Sequence, residues 1–269
     1  MYDVGLLEQK FAKIGARLRP AEEGGRRPIA SDGGIVLDIR NDGDGEFFQV
    51  VGRQEGPAEV EVLDVQPKDR HLLLMVRMLR GKQKFLCGHD ERHWFVAAIP
   101  ESAPVGTVRA AKEALKPPEV RAAQARAGLD ARRGNRRKNA ANRRQGEWFF
   151  LPSPRLVVDP KLVLVQEPIR RGGGKAHWCE FLYRTGGRAV HVCRRHPNGV
   201  DAATYHRILT KNPEAKNWGW RTMVRDAEVY ARGRISHPDH RTITLHGWHR
   251  VIMNTETQAA AMRNVAFLD

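Results

Sequence analysis

A chain of 269 residues is long enough to bury its own core in one large domain or two modest ones, and three cysteines are too few for a disulfide framework. No apolar run approaches the roughly 18 residues of a membrane span, and the first residues mix charges with apolar side chains, so the expectation is a soluble, cytoplasmic protein with no membrane partner. The formal net charge of +15 is unevenly placed: residues 1–116 hold 18 Lys or Arg against 18 Asp or Glu, 117–146 hold nine against two, and 147–269 hold 19 against 11. A surplus confined to one side of the chain makes a directional positive field, which suits a polyanion such as RNA or DNA.

Leu6, Leu7, Phe11, Ile14 and Leu18 recur at helical spacing and predict an amphipathic helix, followed by a Gly- and Arg-rich loop from Glu22 to Gly34. Ile35–Arg40 and Glu46–Val51 flank Asn41-Asp42-Gly43-Asp44-Gly45, a hairpin signal. Val60 to Val65 leads through the turn Gln66-Pro67-Lys68-Asp69 to a buried strand at His71–Arg77, and Phe85–Cys87 pairs with His93–Ile99 across a further turn. Val105 to Leu115 has helical composition and is stopped by Pro117-Pro118.

Residues 117–146 carry almost no large apolar side chains and read as an Arg-rich linker or a solvated helix. Hydrophobic structure restarts at Glu147-Trp148-Phe149-Phe150-Leu151, with strand-like runs in Leu156–Val165. Phe181–Tyr183 and Ala189–Cys193 flank Thr185-Gly186-Gly187-Arg188 as a second hairpin, Ala202–Leu209 looks helical, and Val229–Ser236 with Arg241–Ile252 makes a third hairpin. Thr255–Met262 reads as a closing helix. The sum is α+β: antiparallel β meanders and hairpins with a few flanking helices, in a neutral domain (1–116) and a basic β-rich domain (147–269) joined by the Arg-rich segment.

Three constellations carry chemistry. Arg132, Arg133, Arg136, Arg137, Lys138, Arg143 and Arg144 can grip phosphates, arginine bidentately, or simply keep a linker solvated. In the third hairpin, alternation puts Tyr230, Arg232, Arg234, His246, Trp248 and Arg250 on one face; such a face suits base stacking beside phosphate neutralisation, unless a neighbouring element packs on its aromatics.

The histidines and cysteines offer two metal sets. Pairing the strands about Gly186-Gly187 would bring His177 opposite His196 and Cys179 close to Cys193, a candidate zinc site whose parity is imperfect and whose spacing fits no standard finger. His237 and His240 flank Pro238-Asp239, and His246 shares the face of His240, so these three could hold a metal or act on a phosphodiester, although His-Pro-Asp-His is also ordinary turn chemistry. Cys87 with His89 and His93 is weaker, because no third group orients the pair. The expectation is a nucleic-acid-binding protein, RNA slightly ahead of DNA, requiring no cofactor unless zinc; the neutral domain serves packing or a protein partner. The alternatives are a nuclease centred on His237, His240 and His246, or a scaffold for an acidic protein.

Overall fold

The computed structural model describes residues 3–21, 35–51, 58–79, 81–171 and 174–259; the Glu22–Gly34 loop lies outside them. Asp3 caps the first helix, α1 (Val4–Ala12), by accepting from the Leu6 N–H, and the helix buries Leu7 and Phe11. The apolar spacing runs on to Leu18, but Gly15 adopts φ +76° and ends the helical course, so Leu18 instead opens β1 (Leu18–Pro20). The first expected hairpin forms as β2 (Val36–Asp42) and β3 (Gly45–Val51), and β1 adds parallel to β3.

An antiparallel meander follows: β4 (Glu59–Gln66), β5 (His71–Arg77), β6 (Lys82–Asp90) and β7 (His93–Ile99). Strand β5 reads as a continuous apolar run because both its faces are covered. Leu72, Leu74 and Val76 face a core built on Phe11, Phe48 and Trp94, whereas Leu73 faces a second core beneath α2 (Val108–Ala114). Thr107 caps α2 and Pro117-Pro118 follows its end.

The Arg-rich segment is folded. It forms α3 (Pro118–Arg126), the single turn α4 (Ala131–Gly134) and β8 (Arg143–Gln145). Beside the buried Val120 and Ala141 it buries polar side chains: Gln124 donates to the Gly134 carbonyl and to Asn142 Oδ1, and accepts from the buried Lys116 ammonium. A segment with few large apolar residues thus packs in part through a connected hydrogen-bond network.

Strand β8 starts the largest sheet, which continues with β9 (Trp148–Pro152), β10 (Leu164–Ile169) and β11 (His177–Thr185). The chain then leaves it for a small sheet of β12 (Arg188–Cys193), β13 (His196–Val200) and, after α5 (Ala202–Lys211), β14 (Arg221–Arg225). It returns as β15 (Glu228–Ser236) and β16 (Ile243–Met253), completing the order β10-β11-β15-β16-β9-β8 around Phe150, Leu182, Ala231, Ile235 and Leu245.

The β15–β16 hairpin is as expected, with a bulge between Ala231 and Gly233. The hairpin expected about Gly186-Gly187 does not form. Both edges of β11 are taken, by β10 and β15, so β12 pairs with β13 and β14 in another sheet. At the C-terminal end Thr255 bonds through its N–H to the Leu115 carbonyl and through its hydroxyl to that of Ala114. There the expected helix is a 3-10 turn, Glu256–Gln258, and residues 260–262 lie outside the described part. The fold is α+β with mostly antiparallel sheets and five α-helices among the described residues, none long and apolar enough to cross a membrane.

Candidate metal centre

Strand register assembles the site. Trp178 pairs with Ser236, so His177 at the start of β11 lies beside the turn that leaves β15, His237-Pro238-Asp239-His240. Each of His177, His237 and His240 offers one ring nitrogen, and the three nitrogens lie within 4.8 Å of one another. The rings are nearly parallel, with centroids 4.1 Å apart for His177 and His237 and 4.7 Å for His237 and His240. All three are buried, His177 completely.

Hydrogen bonding sets the state of His177. The Gln145 side-chain nitrogen donates to the carbonyls of Ile235 (3.2 Å) and Arg241 (2.8 Å), which leaves Gln145 Oε1 as the atom 3.0 Å from His177 Nδ1. Nδ1 therefore carries a proton and donates it, and Nε2 turns toward the Glu147 carboxylate, 3.6 Å away. A ring lone pair and a carboxylate facing each other require positive charge between them, either a proton or a metal ion. Burial alone would raise the Glu147 carboxyl, but His177 and, more weakly, Arg171 hold it below the usual carboxylate range.

Burial pushes His237 and His240 down to about 4, helped by their mutual proximity to His177, so both rings are neutral at pH 7. Neither His240 nitrogen has a hydrogen-bond partner, and neither His177 Nε2 nor His237 Nε2 has one. Buried ring nitrogens left without partners are costly in a protein interior, and a cation shared among neutral imidazoles removes that cost. His237 Nδ1 accepts from the Asp239 N–H at 3.1 Å, so this ring presents Nε2 to a metal only by giving up that bond and moving its proton to Nδ1. The turn is held from outside: Lys175 bonds Asp239 at 2.6 Å, and Glu91 accepts from the Arg241 N–H at 2.6 Å.

Gly146 makes room for the cluster. It sits at φ +56°, and a Cβ there would lie 2.7 Å from His240 Nε2 and 3.3 Å from His177 Cε1. Gly146→Ala is expected to weaken metal affinity by about 10- to 100-fold, as changes just behind metal ligands do, while leaving far-ultraviolet circular dichroism intact. Titration with a zinc-competing dye checks this, and an unchanged affinity would show that the ring position is not critical.

The centre opens on a cleft of about 1000 Å³, whose wall includes His240, Gly146 and Glu147. Arg132, Arg136, Arg137 and Arg144 line it from the Arg-rich segment, with Arg109 and Lys112 of α2. Several of these cations are already neutralised: Arg137 pairs with Asp90 and Glu91, Arg144 approaches Asp90 at 3.7 Å, and Lys112 meets Asp69 at 3.1 Å. Arg109, Arg132 and Arg136 have no ion pair among the described residues.

The sequence candidates are thus redistributed. His177 joins His237 and His240, not Cys179, Cys193 and His196. Cys179 packs against the apolar core opposite Ile235, and burial pushes its thiol up to about 12; Cys193 pairs with His196 in the other sheet. His246 is exposed on β16 and outside the cluster. Cys87 is fully buried, and burial lifts its thiol far above the usual range, so it is no nucleophile.

Arg133 pairs with Asp130 and does not line the cleft; neither do Lys138 and Arg143. The Tyr230 face forms, but apart from the cleft: the Arg232 guanidinium lies 5.0 Å over both Phe181 and Trp248, Trp248 is only 8 % exposed, Arg234 is 3.8 Å from Glu180, and Arg250 pairs with Glu228 at 3.0 Å. Gln145, Gly146 and Glu147 are the site residues that sequence reasoning missed. Comparison with known protein families, curated proteins and solved structures finds no match for the chain.

Proposed function

We propose that the chain binds nucleic acid in the cleft and hydrolyses its phosphodiester backbone with a divalent first-row metal, zinc by ligand chemistry, held by His177, His237 and His240. The observation that carries the reading is the arrangement around His177: Gln145 assigns its tautomer, and Nε2 and the Glu147 carboxylate face each other beside two neutral imidazoles, each with at least one unpartnered ring nitrogen. A metal held there would supply Lewis-acid chemistry for phosphodiester hydrolysis. Three neutral ligands leave the ion its full charge. In this reading Glu147, buried beside the ring, would take the attacking water's proton, and Arg132 and Arg136, which line the cleft wall, would hold the phosphate backbone.

The test incubates end-labelled RNA and DNA oligonucleotides with the zinc-loaded protein and its Glu147→Gln variant. Cleavage is expected to fall by about 10²- to 10⁴-fold in the variant, with metal retained. Undiminished cleavage by Glu147→Gln would remove the assigned base. Stoichiometric metal without any cleavage would favour a second reading, a structural ion in a non-catalytic nucleic-acid-binding protein, which the burial of all three ligands supports. Tighter binding of an acidic polypeptide than of either nucleic acid would favour the scaffold instead.

A further inference from the structure

Residues 188–225 form a module with almost no core. Its buried apolar side chains are Val190, Cys193 and Ala215, and α5 buries none of its residues. Yet the module is rich in rings that lie partly open. His196 stacks near-parallel to Trp220 at 5.5 Å and 12°, Trp218 lies 6.1 Å from each of them within 24°, and Tyr205 stands edge-on to Trp220 at 5.0 Å. None of these four is buried. The Trp220 Nε1–H donates to the Ala215 carbonyl at 2.8 Å, which fixes one edge of the ring. Gly219 at φ +69° shapes the loop between the two tryptophans, and a Cβ there would meet nothing within 4 Å.

The charge around these rings is one-sided. The module holds eight Lys or Arg against two Asp or Glu, a net +6. Asp201 is committed to capping α5. Arg188 with Asp226 is the ion pair these cations make among the described residues. The Arg195 guanidinium lies 4.3 Å over the Trp218 ring, which combines a cation and a π face in one spot.

We infer that this module is a docking platform for single-stranded nucleic acid, on which bases stack against Trp218, Trp220 and His196 while Arg195 and its neighbours neutralise the backbone. Single strands are the chemistry that uses both features together, since only unpaired bases offer their flat faces. A duplex would engage the cations alone, and an acidic protein would make less use of the partly open indole faces. The platform is distinct from the metal centre and shares no residue with it.

The experiment measures fluorescence anisotropy of labelled oligouridylate, oligothymidylate, a matched duplex and an abasic strand with the full chain in chelator, so that no cleavage consumes the probe. Single strands are expected to bind more tightly than the duplex and the abasic strand and to quench tryptophan emission; the uridylate and thymidylate arms separate RNA from DNA as the source. Changing Trp218→Ala and Trp220→Ala together is expected to weaken binding by about tenfold or more, with the slope of log affinity against log salt unchanged, because stacking is lost and phosphate contacts are kept. Changing the same positions to Phe is expected to restore most of the affinity, which a purely structural role in folding the module would not predict for the salt slope or the abasic comparison. Equal affinity for the abasic strand, a preference for duplex, or full affinity in the alanine pair would overturn the inference. Because these measurements run without metal, their failure leaves the phosphodiesterase proposal standing, and the absence of cleavage leaves the platform standing.

Discussion

Chelating the metal is expected to lower the stability of the zinc-loaded chain by about 4 kcal/mol, the contribution of an ion present at about a thousand times its dissociation constant. For a chain of this size that corresponds to a fall in melting temperature of about 8–16 °C. The reason is mechanical as well as chemical: the ion would tie the start of β11 to the turn between β15 and β16, and satisfy three of the four unpartnered ring nitrogens, one from each histidine. His240→Ala is expected to lose the metal and the sensitivity to chelator together. His246→Ala, exposed on β16, is expected to keep both. Elemental analysis with thermal melts checks the set, and identical melts with and without chelator, in a protein free of stoichiometric metal, would sink the metal centre.

Phe150→Ala is expected to cost about 3–5 kcal/mol, because it empties the middle of the large sheet's core. The ring is fully buried on β9 and belongs to the cluster with Leu182, Ala231 and Leu245, which gather from three other strands. Val165→Ala, 64 % exposed on β10, is the matched control and is expected to shift stability by less than about 0.5 kcal/mol. Urea unfolding of both variants measures the difference; a Phe150 effect as small as the control's would mean that the sheet relaxes around the void.

The local order of the chain was legible wherever a turn had its own chemistry. Asn41 to Gly45, Pro67 to Asp69 and His237 to Asp239 each reverse the chain as their residues demand, and the strands they join follow. Gly186-Gly187 carried an equally plain signal and misled, because pairing is settled by which edges remain open, and β15, which begins at Glu228, 43 positions after Thr185, claims β11. The two metal sets failed for the same reason. Each contained residues of the buried histidine cluster, His177 in one and His237 with His240 in the other, but the contact that unites them depends on β11–β15 register. Gln145 and Glu147 gave no signal, since their role arises from β8 and β9 closing the far side of the sheet. The Arg-rich segment looked unable to pack because its network around Gln124 is polar, and polar packing leaves no periodic trace.

The order in which the chain is synthesised gives the register between β11 and β15 a temporal meaning. While the ribosome is still making the small sheet, His177 has been synthesised but the turn bearing His237 and His240 has not, so the nascent chain has only one imidazole of this cluster to offer. For a chain that holds an ion there, capture would be a late checkpoint that only a closed β11–β15 ladder passes, and a chain stalled before that point would carry its strand edges bare to other molecules in the cell.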